Sequence, residues 1–222
     1  MAGRGGVGAA LVTTVLLVAG CGSTVAGSAT WPGATLERVT LSSADLPPGV
    51  QFDRIVERPG APDNAGAPPS MLSRPEGCAN ALTNVIAESA ERGPGSAAKY
   101  SVGWDGARIV MTVLSWRLDL GKLEAAAVRC ANFEAFFDAR AQGIPITTTE
   151  LDGVEKGALA YQQTMRLNGS PSSVYMAFIN VGELAVFGIA FPTPDPRIEA
   201  KASLPQTFLD VVAKQAAKIR AT

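Results

Sequence analysis

The sequence has 222 residues, enough for one domain with a tether. Lys and Arg number 19 against 20 Asp and Glu, for a net charge of −1, so no basic excess is available for nucleic-acid phosphates. There is no histidine and there are three cysteines, which excludes the Ser-His-Asp triad, Cys-His chemistry, His-ligated metals and sites built on four thiolates.

The chain opens with a short segment, Met1–Gly6, whose side-chain charge is Arg4. Residues 8–19, GAALVTTVLLVA, carry no charge. A positive start followed by an apolar run of this length reads as an export signal, residues 1–20, and is too short to cross a bilayer comfortably. The run ends Val18-Ala19-Gly20-Cys21. This resembles a bacterial lipobox, which implies a diacylglycerol thioether on Cys21, cleavage just before it and acylation of the new amino group. Acyl chains contribute about 0.8 kcal/mol per buried CH₂, so two or three hold a protein to a membrane durably. Cleavage removes Arg4 and no acid, leaving residues 21–222 at net −2, with no polybasic membrane contact.

Cys78 and Cys130 remain for an exported domain, where disulfides persist. Their pairing closes a loop of about 50 residues and contributes roughly 4 kcal/mol in the chain-entropy model. Their spacing is unlike the Cys-x-x-Cys of redox-active pairs.

Residues 21–35 read as a lipid-anchored tether, small and polar apart from Trp31. Residues 36–222 read as one domain. Ser42 or Ser43 starts a helical turn ended by Pro47-Pro48-Gly49, and residues 50–56 alternate as a strand. Residues 58–70 form a loop punctuated by proline and glycine. Ser73 and Glu76 match a capping box opening a helix whose inner face is Cys78, Leu82, Val85, Ile86 and Ser89. Residues 97–104 and 107–118 form a hairpin through Asp105-Gly106, the second strand being apolar on both faces. Asp119 caps a helix over about 121–141, with Leu123, Ala126, Ala127, Cys130, Phe133 and Phe137 on its apolar face. Strands follow at 144–150, 157–167, 172–180 and 183–191, with turns at Asn168-Gly169 and Val181-Gly182. Pro192 to Pro196 break the sheet. Ser203 and Gln206 form a second capping box before a terminal helix reaching about residue 220. The expected class is α+β: an antiparallel sheet of about six strands with two or three amphipathic helices mainly on one face.

Motifs for chemistry are missing or misplaced. Gly3 to Gly8 spells Gly-x-Gly-x-x-Gly, but inside the export signal. Ser96 and Lys99 spell Ser-x-x-Lys without its companion motifs. Asp152 with Glu155, and Asp195 with Glu199, are close carboxylates that read as solvated loop and cap groups. No alternating acidic loop for calcium occurs. Asn168-Gly169-Ser170 matches a glycosylation sequon that also makes a hairpin turn. No catalytic residue, metal site or cofactor is therefore expected.

One ligand hypothesis survives. Trp116, Met176, Phe178, Phe187 and Phe191 lie on strands apolar on both faces. If helices cover one face, the other is covered by the N-terminal part of the mature chain, by a partner, or by an apolar ligand such as an acyl chain. The first of these is the favoured reading.

The lipobox, the segment Leu46-Pro47-Pro48-Gly49-Val50 and the single inward cysteine pair resemble small mycobacterial-type lipoproteins. The order of elements is similar to the extracellular sensor-like domain of actinobacterial receptor kinases. That resemblance implies a sheet with a cleft beside it, and two disulfides in the kinase form, where this chain has cysteines for one. The expected role is non-enzymatic binding at the outer face of the cell membrane, to an envelope lipid, a glycolipid or a membrane protein. The alternative is a lipid or glycolipid carrier with an enclosed apolar cavity.

Overall fold

A computed structural model describes residues 32–56, 71–89, 93, 95–167 and 169–222. The export signal, Cys21, Trp31, the loop at 58–70 and Asn168 lie outside the described residues. Among the described residues no helix is long and apolar enough to cross a membrane.

The chain runs α1 (Pro32–Val39), β1 (Gln51–Ile55), β2 (Leu72–Arg74), α2 (Ala81–Glu88), β3 (Ala97–Trp104), β4 (Ala107–Leu114), α3 (Leu120–Arg129), β5 (Asn132–Phe136), β6 (Ile144–Glu150), β7 (Ala158–Leu167), β8 (Ser170–Val181), β9 (Leu184–Phe191) and α4 (Gln206–Arg220). All nine strands join one antiparallel sheet in the order β1-β3-β4-β9-β8-β7-β6-β5-β2. The sheet is thus larger than the six strands expected.

Beyond the seven segments that read as strands, the other two, β2 and β5, come from misread segments. Leu123, Ala126, Cys130, Phe133 and Phe137 fit a helical period, yet α3 stops at Arg129 and residues 132–136 form β5. Phe133 and Ala135 face inward there while Asn132 and Glu134 face out, a period of two hidden within the helical spacing. Ser73 lies in β2, not at a helix start. Its hydroxyl accepts hydrogen bonds from the Cys78 and Ala79 amides, at 2.8 and 3.1 Å, and α2 begins only at Ala81. The second capping box is also absent. The Ser203 amide donates to the Thr207 hydroxyl, and Gln206 bonds Asp210. The Asp119 cap is present, accepting from the Lys122 amide at 2.9 Å.

Helices cover both faces of the sheet, two on each, where one covered face was expected. Along β8, Ala177 and Ile179 point to one side, and Met176 and Phe178 to the other. The first side packs with Tyr100, Val102, Ile109, Met111 and Val186 under Phe208, Val211 and Val212 of α4. Next to it, Leu36 and Val39 of α1 bury Val113. Gly188 lets α4 approach, since a Cβ there would lie 2.9 Å from both the Phe208 ring and the Met111 sulfur. The second side packs with Leu114, Phe133, Ala135, Ile146, Tyr161 and Ala185 under Leu82 and Val85 of α2 and Leu123 and Ala126 of α3.

Candidate binding surface

Of the five residues expected to make an apolar ligand face, two are buried, two are half-buried and one is exposed. Met176 and Phe178 are buried beneath α2 and α3. The Phe178 and Phe187 rings stack at 5.3 Å, and Tyr161 tilts onto Phe178 at 6.4 Å. Trp116 packs half-buried against the same cluster. Phe191, at the end of β9, is 38% exposed. The structure therefore gathers Met176, Phe178, Phe187 and Trp116 into one packed layer and leaves Phe191 at its rim.

Cys78 and Cys130 form a disulfide, with Cα atoms 5.4 Å apart and both side chains buried. It joins the turn before α2 to the end of α3. Arg129 braces the same turn by donating to the Glu76 carbonyl at 3.2 Å.

The charged groups with shifted titration serve the fold. The Lys218 ammonium, 2.6 Å from the Asp45 carboxylate, holds the Asp45 pKa down at about 2, assisted by the Ser42 hydroxyl and amide. Burial raises the Tyr100 phenol, and Asp45 adds to the shift. Burial also pushes Tyr161 up to about 12, with Glu150 and Glu124 contributing. Lys201 lowers Asp105 of the β3–β4 turn, and Arg197 lowers Asp195 on the loop between β9 and α4. Of the close carboxylates, Glu155 is paired with Arg220. Among the described residues, no group of three or more acidic or cysteine side chains is placed to hold a metal ion.

A notch of about 450 Å³ opens at the edge of the sheet formed by β2 and β5. Met71, Leu72, Arg74, Glu76, Phe136 and Ala139 line it. It is an open surface feature and not the enclosed cavity that a carrier requires. The Arg74 guanidinium lies 5.5 Å from the centre of the Phe136 ring, an attractive cation–π contact. The ring fits because residue 143 is glycine: a Cβ there would come within 2.8 Å of it. At the notch Leu72 is 53% exposed, and just beyond the end of β5 Phe137 is 69% exposed. Sequence periodicity assigned Phe137 to a buried helix face, so this surface was missed. β5 ends at Phe136, so Phe137 belongs neither to a helix nor to the strand.

No family model matches the chain, and no curated protein matches it. Solved structures similar to this chain include two from mycobacteria. One is an uncharacterised protein of Mycobacterium smegmatis, the Rv0999 ortholog, at 13% identity over 85% of this chain and 95% of that one, with a TM-score of 0.46. The other is the extracellular domain of PknH from Mycobacterium tuberculosis, at 13% identity over 86% of this chain and 97% of that one, with a TM-score of 0.49. At that identity neither transfers a residue or an activity to this chain.

Proposed function

We propose that this chain is an exported lipoprotein, tethered through acyl chains on Cys21, whose domain binds a partner at the outer face of the cell membrane and catalyses no reaction. The Val18-Ala19-Gly20-Cys21 sequence supports the anchor. The buried Cys78–Cys130 disulfide suits an oxidising compartment. The observation that carries the binding role is the open β2–β5 notch with Leu72 exposed in its lining, while much of the remaining apolar sheet surface is packed under helices.

Two measurements test this reading. Cys21→Ala is expected to move the protein from the detergent phase to the aqueous phase, or to leave it uncleaved. Unchanged partitioning and processing would remove the anchor. Native mass spectrometry of the released Cys21→Ala protein is expected to give a bare polypeptide mass. A mass excess of one lipid, lost on solvent extraction, would replace surface binding by the carrier role.

A further inference from the structure

We draw no further inference here: the strongest candidate, the polar strip on the α1–α4 side of the sheet where Gln162, Thr164 and Ser173 of β7 and β8 lie beside the exposed Thr147 and Thr149 of β6, closes hydrogen bonds among its own side chains, and nothing in the structure shows what covers it.

Discussion

On one face of the sheet, α1 and α4 are joined to β3 through a buried amide. On the other, α2 and α3 are joined through a disulfide. Gln215 of α4 is 0% exposed, and its oxygen accepts from the Leu41 amide at 3.0 Å and the Tyr100 hydroxyl at 2.8 Å. Its nitrogen donates to the Val39 carbonyl at 2.7 Å. Lys218, one turn further along, reaches Asp45. One side chain thus satisfies three groups from two other segments, and it does so only in the folded state. The disulfide acts differently. Cys78 and Cys130 stay joined in the unfolded chain, so their link restricts that state as well as aligning α2 with α3. The α1–α4 layer therefore depends on solvent exclusion and charge state, whereas the α2–α3 layer depends on redox state.

Reducing conditions should break this comparison most visibly. A double Cys78→Ala, Cys130→Ala variant is expected to lose about 4 kcal/mol of stability, read from the urea midpoint. Wild type with reductant should fall to the same midpoint. Loss below about 1 kcal/mol would mean that the α2–α3 layer holds without its covalent link.

Gln215→Leu comes next. It keeps the side-chain volume roughly constant but leaves the Leu41 amide, the Val39 carbonyl and the Tyr100 hydroxyl buried without this partner. A loss of about 3 kcal/mol is expected, since an unpaired buried polar group costs roughly 1–3 kcal/mol. Amide exchange should accelerate in α1 and α4 before α2 and α3. Equal acceleration in both layers would show that the layers are not separable.

The smallest effect is set by pH. Asp45 titrates at about 2 in the fold, below the ordinary carboxyl value of 3.8. A depressed carboxyl pKa stabilises the folded state above about pH 4, and that contribution fades as pH falls toward 2. Asp45 is partly solvated, so screening limits the expected contribution to about 1 kcal/mol. Asp45→Asn should lose it at pH 6 and converge with wild type near pH 2. Parallel stability curves for the two proteins would refute the Asp45–Lys218 contribution.

The sequence made this layered arrangement only partly legible. The Asp105-Gly106 hairpin, the strand at 144–150 and the terminal helix are local patterns, and each occurs within a few residues of its expected bounds. The cysteine pair followed from compartment and inward placement. What escaped depends on distant partners. β2 is three residues long and is a strand because residues 134–136 lie alongside it. Residues 132–136 satisfy two periods at once, and pairing with β6 decides between them. Helices on both faces escaped because a strand apolar on both sides does not state what covers each side. The notch was hidden for the same reason, since its residues come from those two misread strands.

The sheet order carries a consequence for how the molecule assembles. β1 and β2 are consecutive in the chain, yet they occupy opposite edges of the nine strands. Neither can wait for the other as a template. β1 must find β3, and β2 must find β5, some sixty residues later in the chain. The stretch from β6 to β9 instead zips through successive neighbours, where loop closure costs little. Synthesis runs in the reverse sense, so the strands made first are the ones that consolidate last. Pulse-labelled hydrogen exchange should find β7, β8 and β9 protected while the two outer strands still exchange freely, leaving both borders of the sheet open until its centre has formed.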